Sequence, residues 1–233
     1  MISLIIPTKG RSNKILTTIK NIIDLSSHKI DLEIFIIYDL DDILTKQTLD
    51  SFHSENRSIY SIGKEHSDYL NRDYYNATAN KCYGKYIWAI ADDVNFLTRH
   101  WDNILISKVE EYLKDKSDRI SYISVKEINT QAKHPCFHII TKEAFESLGM
   151  YFHPELLSWG ADRCLYELYN GINRILYIPE IEIEHISYHD GKALYDETAK
   201  SMKERFFRNP NCHNEICQNI IPKQINYLKT IIK

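Results

Sequence analysis

The sequence of 233 residues predicts an α/β protein built on a doubly wound, mostly parallel sheet. Short apolar runs of strand length, Ile2 to Ile6, Leu32 to Tyr38 and Tyr86 to Ala91, alternate with stretches of helical period. Each run stops at a residue that suits a strand end, namely Pro7, Asp39 and Asp92. Strands separated by helical stretches join through right-handed crossovers, and that makes neighbouring strands parallel.

Taken in order, Ile2 to Ile6 reads as a buried strand that Pro7 stops, and Thr8 to Arg11 as a loop. Ser12 or Asn13 caps a helix to about Leu25, whose Ile15, Ile19, Ile22 and Ile23 recur at helical spacing. Leu32 to Tyr38 is a second strand running into Asp39, Asp41 and Asp42. Leu44 to Phe52 reads as a helix and Ser58 to Ile62 as a third strand. Asp68 to Tyr83 is expected to be helical, with Leu70, Tyr74, Ala77 and Cys82 on its inner face, before the strand that ends at Asp92 and Asp93. The second half predicts a helix over Trp101 to Leu113, strands over Ile120 to Val125 and Cys136 to Thr141, and a helix from Lys142 to Leu148 closed by Gly149. A helix over Asp162 to Tyr169 closed by Gly171, strands Arg174 to Ile178 and Glu180 to His189, and a helix from Lys192 to about Phe207 follow. A break at 209–211 then precedes a terminal helical piece.

Composition narrows the functions. With 43% hydrophobic and 26% charged residues the chain is an ordinary soluble globular type. Its net charge of −3, with the basic residues scattered, gives no footprint for nucleic acid. Five cysteines without a Cys-x-x-Cys predict reduced thiols and a cytoplasmic setting. The first residues, MISLIIPTKGR, do not read as a signal peptide, and no window has the run of apolar residues that a membrane span needs. Only 7 glycines are present, and neither GxGxxG nor GxxxxGK[ST] occurs, which argues against classical dinucleotide and P-loop sites.

The stretch with most chemistry in it is Gly84 to Asn95, GKYIWAIADDVN. A buried strand running straight into two carboxylates is costly unless the acids lie at the strand's C-terminal lip and hold a cation, and in open α/β sheets ligands bind at that lip. The plainer alternative is a strand end followed by an aspartate that caps a helix.

The ordered motifs resemble the family 2 glycosyltransferases of GT-A fold, which move a sugar from a nucleotide-sugar donor. Pro7, Thr8 and Arg11 match the loop after the first strand, and Asp39 matches the aspartate that ends the second. Asn76 and, eight positions on, Gly84, with Tyr86, Ile87 and Asp92-Asp93, match the run into the acidic DxD motif, with Ala91 in place of its first aspartate. Lys142 to Leu148-Gly149, Asp162 at a helix start and Glu184-His185 at a strand end complete the order over roughly residues 2 to 190.

The resemblance implies a GT-A-type, Rossmann-like central sheet, a small mixed sheet on the acceptor side and C-terminal helices. It places a single domain over 1–190, divided into a nucleotide-sugar half (1–95) and an acceptor half (96–190), with 191–233 as a helical extension. By register Asp93 binds the metal, Mn²⁺ or Mg²⁺, with His185 as a second ligand, and Asp92 is the lesser partner on the donor. Pro7, Thr8, Arg11, Asp39, Arg72 and Asn76 are assigned to the nucleotide sugar. Asp162 is the general base, and Trp159 and Gly160 meet the acceptor, a glycan or a lipid- or protein-linked group. Plainer roles stand beside these: Asp162 as a helix cap, His185 as a hydrogen-bonded strand end, Trp159 as a core residue, and Arg11, Arg72 and Lys81 as solvated charges.

His134, His138, His153 and His189 are unranked as further site residues, and an oligomer is open. Cys212-x4-Cys217 with His213 hints at a metal but lacks a second pair, so ordinary burial is the favoured reading. Two other functions fit the same pattern less well. One is a weakened GT-A-like protein that only binds nucleotide or glycan; the other is a sugar-phosphate nucleotidyltransferase, for which the loop Pro7 to Arg11 is poor in glycine.

Overall fold

A computed structural model of the chain describes residues 1–28, 30–53, 58–129, 136–157, 160–188, 191–208 and 211–233. Its centre is one eight-stranded sheet in the order β3-β2-β1-β4-β7-β6-β8-β5. Strands β1 (Ile2–Thr8), β2 (Leu32–Asp39), β3 (Ile59–Lys64) and β4 (Tyr86–Ala89) pair in parallel. The other four, β5 (Val94–Phe96), β6 (Tyr122–Glu127), β7 (Ile139–Thr141) and β8 (Ile175–His185), are mixed: β4–β7, β6–β7 and β5–β8 are antiparallel, and β6–β8 is parallel. The mixed strands expected on the acceptor side are thus present as a continuation of the same sheet.

Alternation along β1 shows how the layers are set. Ile2, Leu4 and Ile6 face one core with Ile15, Ile19 and Ile22 of α1 (Ser12–Leu25), Leu49 of α2 (Ile43–His53) and Trp101, Leu105 and Val109 of α4 (Trp101–Tyr112). Ile5 faces the other, with Phe35, Ile37, Ile87 and Ala89 and the buried sides of α3 (Ala77–Ala79), α5 (Lys142–Leu148), α6 (Ala161–Asn170) and α9 (Ile221–Ile231). Strands buried on both faces read as continuous apolar runs, and for that reason β1, β2 and β4 stand out in the sequence. A short α8 (Cys212–Glu215) and a π-helical turn (Ile216–Ile220) lead into α9, and α7 (Glu197–Arg208) precedes them.

Four local expectations change. Pro7 lies inside β1 rather than ending it: it is in register with Ile37 of β2, while pairing with β4 ends at Ile5↔Ala89, so its missing N–H falls where no β4 residue pairs with it. The helix expected over 68–83 is mostly a π-helix, Leu70–Asn76, followed by α3. The wider turn rotates the face, so Asn71, Tyr74 and Asn76 are buried and Ala77 is exposed. The two strands expected over 174–189 are one, β8, with a register shift that moves its partner from Val125↔Ile178 to Lys126↔Glu182. Pro179 lies in that gap, where it has no N–H to give to the ladder. Finally, β5 follows the acid pair immediately, a three-residue strand that periodicity cannot register.

Gly84 sets how close the turn before β4 comes to β1. A Cβ there would lie 2.4 Å from Ser3 Oγ and 2.7 Å from the Ser3 backbone nitrogen, so only glycine fits without displacing main chain. Its N–H donates to Ser3 Oγ (2.9 Å) and to the buried Glu33 carboxylate (2.9 Å).

Candidate functional site

The C-terminal ends of β1, β2 and β4 converge on one edge and bring three aspartates with them. Asp92 and Asp93 follow β4 and are both buried. Thr8, the last residue of β1, donates to Asp92 Oδ2 at 2.6 Å, and Thr18 of α1 donates to the Asp92 carbonyl at 2.9 Å. Arg11 N-caps α1 through its backbone carbonyl, which accepts from Ile15 N–H, and its guanidinium turns over the sheet edge. Its NH1 lies 2.8 Å from Asp92 Oδ1 and 3.1 Å from Asp93 Oδ2.

His185 arrives by strand register. Val94 of β5 pairs with His185 of β8, and Ile186 N–H donates to the Asp93 carbonyl at 2.9 Å. The imidazole Nε2 thereby lies 3.1 Å from Asp93 Oδ1. The ring nitrogen is close but not aligned for a hydrogen bond, so among the described residues Asp93 Oδ1 is a buried oxygen with no aligned donor.

The two neighbouring acids are held differently. Burial pushes Asp92 up, and the Asp93 charge adds to it against the opposing Arg11. Burial also acts upward on Asp93, but the His185 imidazole and Arg11 outweigh it and hold the group below the usual carboxylate range. Asp93 is thus the member of the pair whose ionised form its surroundings favour more, and it is the one beside an imidazole. A buried carboxylate oxygen with a nitrogen next to it fits Mn²⁺, or Mg²⁺ through the carboxylate, with the remaining positions left to water and phosphate oxygens. Asp92 adds no further ligand here, because Thr8 and Arg11 hold its two oxygens.

Asp39, at the end of β2, is bound up with its surroundings. Its carboxylate accepts from Lys9 Nζ (2.7 Å), meets His66 Nδ1 (2.6 Å) and accepts from the Tyr74 hydroxyl, which the π-helix aims inward. Burial acts upward on it, but these three partners win and keep it below its ordinary value. Gly10 N–H donates to Asp42, which also accepts from Thr45 N–H as the cap of α2, so the loop after β1 is tied to the loop after β2.

Asp162 sits in the first turn of α6, half-buried, and accepts from Arg163 N–H at 2.9 Å. The Tyr122 hydroxyl on β6 is pushed up first by burial and then by the Asp162 charge. Gly160 precedes the helix. Trp159, His134 and His189 lie outside the described residues. Asn76 is buried and latches the loop after α5: Oδ1 accepts from Tyr151 and Phe152 N–H, and Nδ2 donates to Phe152 O. Arg72 is exposed, paired with Asp73 and stacked on Tyr69. His138 is a core histidine beside Tyr122 and Phe152, and His153 is half-buried on the loop after α5.

The sequence did not point to Asp196. Its two oxygens meet Arg11 Nε and NH2 at 2.8 and 2.9 Å, a bidentate pair just ahead of α7. Thr198 donates to the Lys9 carbonyl, and at the far end Arg205 and Arg208 meet Asp68, whose other neighbour is His66. Helix α7 therefore straps the Arg11 end of the site to the His66 end. Asp196 is held at about 2 against an ordinary value of 3.8, since the Arg11 bonds outweigh burial. Its contribution to stability is present above pH 3.8 and is lost as pH falls toward 2. Asp196→Asn is expected to cost about 1 kcal/mol at neutral pH, after allowance for solvent screening, and to flatten the acid limb of a urea-stability profile between those values.

No family model matches the sequence, and no curated protein matches it. Solved structures do match. The mannosyltransferase PcManGT of Pyrobaculum calidifontis, in complex with GDP-Man and Mn²⁺, aligns with TM-score 0.64 and 14% identity over 98% of this chain and 73% of that one. TarS of S. aureus aligns with TM-score 0.63 and 12% identity over 89% of this chain, which spans 39% of TarS. GalNAc-T7 with UDP, GalNAc and Mn²⁺ aligns with TM-score 0.62 and 14% identity over 79% of this chain and 43% of that one. The sheet, its acid-bearing edge and these likenesses agree on the architecture: the chain has the GT-A glycosyltransferase fold.

Proposed function

We propose that the chain is an inverting glycosyltransferase, moving a sugar from a nucleotide-diphosphate sugar to a hydroxyl of a glycan or of a lipid- or protein-linked acceptor in the cytoplasm. The observation that carries this reading is Asp93: a buried carboxylate at the ligand-binding lip of a parallel sheet, one oxygen without an aligned donor and an imidazole beside it. The GDP-Man, UDP and Mn²⁺ in the similar structures support the donor and metal classes.

In this reading residues 1–95 hold the donor, 96–190 the acceptor, and 191–233 is a helical extension. Asp93 and His185 hold a divalent cation, which when bound neutralises the leaving diphosphate as a Lewis acid. Arg11 adds a fixed positive charge at the same edge and is oriented by Asp92 and Asp196. Pro7, Thr8, Asp39, Arg72 and Asn76 are assigned to the donor half, Asn76 by shaping the loop at 151–152 and Asp39 with Lys9 and His66 around it. Asp162, ionised at a helix N-terminus, accepts the acceptor's hydroxyl proton. A single attack from the face opposite the leaving group inverts the anomeric carbon. Trp159 and Gly160 are assigned to the acceptor.

A panel of nucleotide sugars, assayed for donor hydrolysis and transfer with Mn²⁺ and with EDTA, tests the proposal. Turnover that requires the cation is the expected result. Thermal stabilisation by a nucleotide with no turnover under either condition would instead support the binding-protein reading that Ala91 raises.

A further inference from the structure

A second cluster of metal-ligating side chains lies away from the acid edge. Cys164 is on α6, while His213 and Cys217 lie four residues apart on α8 and the π-helical turn after it. Among the described residues their ligand atoms lie within 4.8 Å of one another, the only such group of three. The fold therefore replaces the Cys212–Cys217 pairing that the sequence suggests. The Cys212 thiol points instead to the Glu155 carbonyl, and the second sulfur comes from Cys164, far away in the chain.

We infer that Cys164, His213 and Cys217 form a structural site for a zinc-class cation that staples the C-terminal helices to α6. Two thiolates and an imidazole are the soft and borderline donors that Zn²⁺ prefers over Mg²⁺ or Ca²⁺. Zn–S bonds of about 2.3 Å and Zn–N bonds of about 2.0 Å in a tetrahedron put sulfur and nitrogen about 3.5 Å apart. Cys217 Sγ and His213 Nε2 are 3.5 Å apart. Water can take the fourth position; the Glu167 carboxylate, one turn after Cys164 on α6, pairs with Arg163 and lies outside the group of three.

The surroundings are built for the imidazole. A Cβ on Gly160 would lie 2.6 Å from His213 Cδ2, so a side chain there would displace the ring. Cys164 is buried, and His213 and Cys217 are half-buried, which leaves a path for the cation to enter. The π-helical register that carries Cys217 is an irregularity that recurs at functional sites.

The test uses the full chain, reduced and metal-free, titrated with Co²⁺ and then Zn²⁺. One equivalent of Co²⁺ is expected to give the intense visible bands of tetrahedral cobalt with a sulfur-to-metal charge-transfer band, and Zn²⁺ to displace it and raise the melting temperature. Cys217→Ser and His213→Ala are expected to lose the thiolate spectrum and the Zn²⁺-dependent shift. Cys212→Ser and Asp93→Ala should keep both, which separates this site from the acid edge and leaves the glycosyltransferase reading to stand or fall on its own assay. Absence of the cobalt–thiolate bands in the reduced chain, their persistence in both ligand variants, or two thiols lost to a Cys164–Cys217 disulfide with no metal uptake would each overturn the inference.

Discussion

Asp162→Asn is expected to lower sugar transfer by about 10²–10⁴-fold while donor affinity stays within about twofold. The substitution is close to isosteric. Asp162 Oδ1 accepts from Arg163 N–H, and an asparagine oxygen can accept the same bond, so the start of α6 keeps its shape. What is lost is the carboxylate charge and its ability to take a proton. The charge contributes about 0.3–1 kcal/mol against the helix dipole, too little to unfold a helix buried through Cys164, Leu165, Leu168 and Tyr169. Transfer measured at saturating donor, beside donor affinity from calorimetry, separates the two effects. Loss of donor binding equal to the loss of rate would remove Asp162 from the role of base and leave it a positioning residue.

How much of this was legible in the sequence follows from what each signal is made of. Apolar runs report burial on both faces, so β1, β2 and β4, and the acids that end β2 and follow β4, could be placed by residue number. Helical period assumes 3.6 residues per turn, and it misplaced Ala77 because Leu70–Asn76 turns in a wider register. Three residues cannot show a period at all, so β5 was invisible, yet β5 is what brings His185 to Asp93. The resemblance supplied that pairing from motif order; composition alone left His185 one histidine among ten. Contacts between side chains distant in sequence leave no local trace. Arg11 with Asp196 and Cys164 with Cys217 are of this kind, and each ties the C-terminal helices to a part of the site.

Asp93→Ala is expected to raise the Mn²⁺ concentration needed for donor binding by at least about tenfold, or about 1.4 kcal/mol, with little change in the metal-free state. The network around the pair makes this substitution cleaner than its neighbours. Removing Arg11 would leave Asp92 and Asp93, adjacent and buried, without the cation that faces both, a loss on the order of 3–5 kcal/mol that confounds any binding measurement. Removing Asp92 would strand the Thr8 hydroxyl and reorient Arg11. With Asp93 removed, Arg11 keeps Asp92 and the bidentate Asp196, so the guanidinium is not left unpaired, and His185 loses only one neighbouring oxygen. Donor binding followed by calorimetry across a Mn²⁺ titration, with EDTA as the metal-free reference, reads the difference directly. A parallel weakening with and without the cation would mean that Asp93 acts through Arg11. An unchanged Mn²⁺ response would rule out its role as a ligand and move the positive charge at this edge onto Arg11 alone.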